Sequence, residues 1–249
     1  MKIMFYDVEA SGLDTLGSYV QELAFAIYDT DTWRCIKAQS DLVAWGKQYP
    51  IEPEAQAVTG LSHELCEENG RQVQLVFADF LVNANMVDFL CGHNAISYDK
   101  PMMVSNINRA MAFNPEPGYD HPWKEIPHID TLIDCPYPAT QKQMALKYLA
   151  LDHGYVLTGA HEAMNDVFAC AHILRQYDLA KVIEISKTPL VTLYTKIPWE
   201  NAEGRERVKN ARFYWSPTKK IWEKKIREFY LSEIQLQLGT DIELGVGRD

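Results

Sequence analysis

Lys2-Ile3-Met4-Phe5-Tyr6-Asp7-Val8-Glu9-Ala10-Ser11-Gly12-Leu13-Asp14 is the stretch on which the fold turns. Lys2 to Val8 is largely apolar and aromatic, which predicts a buried strand. Ser11-Gly12-Leu13-Asp14 carries turn chemistry. Val20 to Tyr28 and Trp33 to Leu42 predict two more strands, joined by the polar connection Asp29-Thr30-Asp31. Three strands in close succession with a short hairpin link predict an antiparallel meander.

Downstream the period changes. Glu52 to Val58, Ser62 to Glu68 and Val73 to Ala84 predict helices, and Met86 to Cys91 predicts a strand that ends at Gly92. Asp99 to Ala112 predicts a helix, Asn114 to Pro127 a Pro/Gly-rich loop, and Ile129 to Leu132 another strand. Met144 to His153 reads as a helix stopped by Gly154, and Ala163 to Ala180 as the last long helix of the domain. A meander followed by alternating helices and strands is an α/β layout with a mixed sheet. Pro189 marks an expected linker from Lys187 to Val191, separating a domain over 1–186 from a small module over 192–249.

The chain has 249 residues, 47% hydrophobic and 23% charged, ordinary for a globular protein. No stretch approaches the roughly 20 apolar residues of a membrane span, and Met1 to Tyr6 is too short for a signal peptide. A cytoplasmic protein is the expectation. Its five cysteines are scattered and contain no C-x-x-C pair, so reduced, mostly buried thiols are expected rather than bridges or a zinc site. The net charge of −10 is unevenly spread. Lys196 to Arg227 holds ten basic and four acidic residues, a local +6, while the rest carries 14 basic against 30 acidic. Such asymmetry marks a polyanion-binding appendage on an acidic body.

Asp7 and Glu9 stand two apart on the first strand, which puts both carboxylates on one face. Two such charges repel and lose hydration, and a divalent cation offsets both costs. Solvated acids beyond the strand end are the alternative. Asp99 stands at a helix start, where a lone Asp is more often a cap. His161 and Asp166 stand five apart, just before and one turn into the helix from Ala163, so the two could flank one site.

Together and in order, these pieces resemble the DEDD exonuclease superfamily in its DnaQ-like, histidine-containing (DEDDh) branch, of the proofreading-subunit and exodeoxyribonuclease X types. Phe5 to Leu13 is similar to the first motif, D-x-E followed by a small residue, Ser/Thr, Gly and Leu. Asn94-Ala95-Ile96-Ser97-Tyr98-Asp99 is similar to the second and His161-x-Ala163-x-x-Asp166 to the third. Thr59-Gly60-Leu61 and Ile129-Asp130-Thr131-Leu132 resemble weaker family segments lying between them. The second motif departs from the usual H-N-A-x-F-D by one added residue and by Tyr98 in place of Phe. The resemblance covers roughly residues 1–182.

The resemblance implies an RNase H-like fold and a 3′→5′ exonuclease releasing nucleoside 5′-monophosphates from nucleic-acid 3′ ends, with DNA favoured over RNA. It implies two divalent ions, Mg²⁺ or Mn²⁺, one held by Asp7, Glu9 and Asp166 and the other by Asp7 with Asp99. His161 would be the general base, a role that suits an imidazole titrating near ~6.5. Ala10, Ser11 and Leu13 would contact the terminal nucleotide, and Asn94 belongs to the same substrate-binding set. Dimers occur in that family, so a homodimer is among the implied assemblies.

The C-terminal module reads as α+β. Val208 to Glu223 alternates aromatic and basic residues around the turn Ser216-Pro217-Thr218-Lys219. Trp215 and Trp222 are expected in its mini-core, with a basic surface for nucleic acid. Competing functions are an exoribonuclease, a catalytically silent nucleic-acid-binding module on the same fold, an RNase H-like endonuclease and a glycosidase. The intact acidic set argues against the silent module and the His-x-Ala-x-x-Asp pattern against the endonuclease. A glycosidase explains neither the histidine spacing nor the basic tail.

Overall fold

The computed structural model describes residues 1–111, 122–138, 140–159 and 161–248. Their contacts divide the chain into two compact units, Met1–Leu179 and Ala180–Asp249. The first holds β1 (Lys2–Ala10), β2 (Val20–Asp29), β3 (Arg34–Ala44), α1 (Pro53–Thr59), α2 (His63–Asn69), β4 (Arg71–Gln72), α3 (Val73–Ala84) and β5 (Phe89–Gly92). There follow α4 (Asp99–Met111), β6 (His128–Asp130), α5 (Thr131–Asp134), α6 (Leu146–Asp152) and α7 (Ala163–Leu174).

The strands form one six-stranded sheet in the order β4-β3-β2-β1-β5-β6. The meander is antiparallel, whereas β5 joins β1, and β6 joins β5, in parallel. This is the expected mixed sheet flanked by helices. Alternate residues of β1 explain its central place. Met4, Tyr6, Val8 and Ala10 enter the main core, where Phe80 of α3 meets Tyr6, Phe25 and Trp123 edge-on. Each such ring contributes about 1.5–3 kcal/mol by leaving water, and the edge-on geometry suits the ring quadrupoles. The opposite face of β1, bearing Asp7 and Glu9, looks toward α7, whose Cys170 neighbours Asp7.

Several elements differ from expectation. The helix foreseen from Ala163 to Ala180 is two, α7 and α8 (Leu179–Ser186). Tyr177 lies in the break, packed on Tyr137 and hydrogen-bonded to His153 Nε2 at 2.7 Å, so its side chain is tied to the α6 side. The expected 114–127 loop lies outside the described residues up to 121; Pro122–Glu125 is a 3₁₀ turn. β4, two residues long, carries too little pattern to be foreseen. Of the five cysteines, Cys35 is exposed and four are buried, all as free thiols.

The second unit contains most of α8, then β7 (Leu190–Thr195), α9 (Ala202–Asn210), β8 (Tyr214–Ser216), β9 (Ile221–Arg227), α10 (Leu231–Leu238) and β10 (Gly245–Arg248). Its sheet order is β10-β7-β9-β8, all antiparallel. Val191, Leu193, Val208, Phe213, Trp222, Ile226, Ile234 and Leu238 form its core. The division after Leu179 precedes the expected boundary at 186, and the expected linker overlaps β7 from Leu190. Trp222 is buried as expected, but Trp215, on the edge strand β8, is 45% exposed.

Candidate active site

β1 is longer than its parallel neighbour. β5 pairs with it only from Ile3 to Phe5, so on that side the strand runs on past its parallel partner toward Asp7 and Glu9, while β2 stays paired along the other side. The crevice beyond the carboxyl ends of parallel strands is where open α/β sheets bind ligands. There the Val8 N–H meets a carboxylate rather than a strand, donating to Asp99 Oδ1 at 3.2 Å. Asp99 is the first residue of α4, and this bond fixes it beside Asp7.

The loop from β5 to Asp99 is shaped by three devices. A side chain at Gly92 would lie 2.5 Å from the Ala95 Cβ and 3.1 Å from the Tyr6 carbonyl, so only glycine permits that approach. Asn94 takes the left-handed φ of 64°, uncommon without glycine. The buried Asp130 carboxylate stabilises that conformation by accepting from the Asn94, Ile96 and Leu132 N–H groups at 2.8, 3.1 and 3.0 Å. Tyr98, the motif's departure from the usual Phe, uses its extra hydroxyl to donate to the Gly12 carbonyl at 3.1 Å. Arg109 and Asn106 of α4 bind the Ser18 carbonyl of the same loop after β1.

The third motif arrives from α7. No side chain of its own caps this helix, and the Glu22 carboxylate on β2 accepts from the Ala163 N–H at 3.4 Å instead. Glu22 pairs with Glu9 across β1 and β2, a placement that emerges only once the strand register is known. His161 is exposed and left-handed, with φ 71°, beside the left-handed Gly159. Asp166 stands one turn into α7.

These residues converge on a cavity of about 420 Å³ lined by Asp7, Glu9, Ala10, Leu13, Asn94, Asp99, His161 and Asp166. Ligand atoms of Glu9, His161 and Asp166 all lie within 4.8 Å of one another. Of the expected substrate-binding residues, Ala10, Leu13 and Asn94 line the cavity. Ser11 does not: it is buried, and its Oγ accepts from the Tyr19 N–H at 3.0 Å. Sequence reasoning missed the opposite wall, where α1 and its cap supply Glu52, Glu54, Ala55, Val58 and Thr59, and also His93. Thr59-Gly60-Leu61 was the one signal near it.

Electrostatics fit a cation site. Burial, then Asp99, Asp166 and Glu9, pushes Asp7 well above the carboxylate range. Burial, then Asp166 and Glu22, pushes Glu9 up to about 8. Burial raises Asp99 to about 7, opposed by the Val8 N–H, and Asp166 to about 6, opposed by the His161 N–H. Asp166 Oδ1 is buried with no hydrogen-bond partner among the described residues. Crowded carboxylates and an orphaned oxygen suit a hard divalent cation, which prefers oxygen ligands.

An RNase H-like sheet with carboxylates gathered at one crevice defines a nuclease domain. The chain belongs to the RNase_T exonuclease family, whose model matches residues 4–174, and within it to the DnaQ-like type. Comparison with curated protein sequences gives no match. Among solved structures, E. coli exonuclease I in complex with a dA16 oligonucleotide is 14% identical with a TM-score of 0.65, over 97% of this chain and 68% of that one. The zinc-bound complex of E. coli exonuclease I with single-stranded DNA gives 14% and 0.63, over 98% and 64%. The dT13 complex gives 16% and 0.58, over 81% and 49%. The chain therefore spans about half to two thirds of those chains, and likeness at this identity speaks for the fold.

Proposed function

We propose that this chain is a metal-dependent 3′→5′ exonuclease that hydrolyses phosphodiester bonds one nucleotide at a time from nucleic-acid 3′ ends, DNA in preference to RNA. The observation that carries this is the convergence of Asp7, Glu9, Asp99 and Asp166 with His161 around one cavity. Asp7, Glu9 and Asp166 would hold one divalent cation, Mg²⁺ or Mn²⁺, and Asp7 with Asp99 a second. Bound there, the cations supply charge stabilisation at the phosphate and lower the pKa of an attacking water.

The chain's own groups do the rest. His161, exposed at the mouth beside Asp166, accepts the proton of the attacking water through its imidazole. Leu13, which is 79% exposed, lies against the terminal nucleotide, with Ala10 and Asn94 beside it. Arg109 and Tyr98 hold the loop that presents Leu13. The DNA preference rests on the oligonucleotides held by E. coli exonuclease I, which has the same fold.

Chromatography of the products from an unlabelled oligonucleotide tests the bond cleaved. Nucleoside 5′-monophosphates, formed with Mg²⁺ or Mn²⁺ and not in EDTA, are expected. Nucleoside 3′-monophosphates would overturn the proposal, because they place the cut on the other side of the phosphate.

A further inference from the structure

The second unit carries a stripe that the reaction above does not use. Arg205 and Lys209 are four residues apart on α9, one helical turn, so they share a face. The Arg205 guanidinium lies 4.4 Å from the ring centroid of Trp199, which is 79% exposed. Lys209 Nζ lies 6.0 Å from the buried Trp222 ring, and Trp222 packs at 5.6 Å against the half-exposed Trp215. Two accessible indoles thus stand toward opposite ends of a nine-residue helix, roughly 13 Å long at ~1.5 Å per residue, with two cations between them.

Arg205 also donates to the Pro198 carbonyl at 3.3 Å, which holds it beside Trp199, and several neighbouring charges are engaged elsewhere. Arg207 binds Asp241, Lys219 binds Glu223 at 2.8 Å, and Lys224 donates to the Ala211 carbonyl at 2.7 Å. The segment still carries +6 within an acidic chain.

We infer that Trp199, Arg205, Lys209 and Trp215 form a docking stripe for a single nucleic-acid strand, distinct from the catalytic cavity. Exposed indoles stack on any unpaired base, and the cations between them neutralise the backbone. Bases of a duplex are already stacked on one another and offer the indoles no free face. This stripe is read by binding alone, independently of the proposed reaction.

The test is fluorescence anisotropy of a 5′-labelled oligo-dT strand with the full chain in EDTA, across a salt series. Trp199→Ala and Trp215→Ala are each expected to weaken binding by about five- to hundredfold, the range for losing one stacked base. Trp215→Phe should keep most of the affinity, which separates stacking from loss of fold. Arg205→Ala/Lys209→Ala should reduce the slope of log K against log[salt] by about 1.4, at ~0.7 per phosphate of a single strand. Hydrolysis of a mononucleotide nitrophenyl ester, which occupies only the catalytic cavity, should be unchanged in all of them. Wild-type affinity and slope throughout, or equal competition by a duplex or an acidic peptide, would overturn the stripe. Weakened strand binding by these variants supports it whether or not the chain cuts.

Discussion

The Asp99 carboxylate accepts the Val8 N–H at 3.2 Å, so the second acidic motif is fastened to the first through the backbone between Asp7 and Glu9. This bond gives Asp99 a structural part beside its proposed cation-binding one, and two variants separate them. Asp99→Asn keeps an oxygen for Val8 and should fold with near-native stability yet show no detectable cleavage. Asp99→Ala loses both, and should also destabilise by about 1–3 kcal/mol, the cost of stranding a buried donor. Denaturant melts together with a cleavage assay check this. Native turnover in Asp99→Asn would remove Asp99 from the cation site.

His161 makes a prediction of a different kind. His161→Ala should lower kcat by ~10²–10⁴-fold, as for loss of a general base, while Mn²⁺ binding followed by calorimetry persists through the carboxylates. Because Glu9, His161 and Asp166 ligand atoms lie so close together, the calorimetry matters: loss of a binding event would make His161 a ligand instead of a base.

Asp130 was legible as part of a strand and of a weaker family segment, but its structural weight was not. Its carboxylate satisfies three backbone N–H groups and supports the left-handed Asn94. Asp130→Ala should cost about 3 kcal/mol or more, since each buried donor left bare costs ~1–3 kcal/mol. It should also lower activity by displacing the start of α4. Unchanged stability in urea melts would show that water replaces the carboxylate.

The crowded carboxyls set a pH dependence. Burial holds Glu9 up at about 8 and Asp99 at about 7, against roughly 4 in an unfolded chain. Between those values the folded state binds more protons, so their contribution to stability is full below about pH 4 and is lost as pH rises through 7 to 8. In EDTA the melting temperature should therefore fall from about pH 5.5 to about pH 8.5. Added Mn²⁺ should restore it at the higher pH by binding the ionised set, and Glu9→Gln should flatten the dependence. A melting temperature that rises over this window in EDTA would contradict the crowding.

Much of this site could be read from residues because its signals are local. Period-2 geometry put Asp7 and Glu9 on one face, and the helix starts at Asp99 and Ala163 follow from short-range pattern. What escaped depends on pairing across the sheet. Glu22 reaches α7 only because β2 sets it opposite Glu9, and Asp130 serves a loop that precedes it by more than thirty residues. Ser11 stands outside the cavity lining, its hydroxyl used within its own loop. Trp215 was expected in the mini-core, yet β8 is an edge strand and leaves the ring half in water. Composition names an aromatic; only topology says which side of it is covered.

The most direct test of the account is digestion of 5′-labelled single-stranded DNA and a matched RNA, with Mg²⁺ or Mn²⁺ and with EDTA, resolved at single-nucleotide steps. The expected result is a metal-dependent ladder that shortens from the 3′ end, faster on DNA, and absent with Asp7→Ala. Internal cuts without a ladder, or an untouched strand that the protein nonetheless binds, would contradict it.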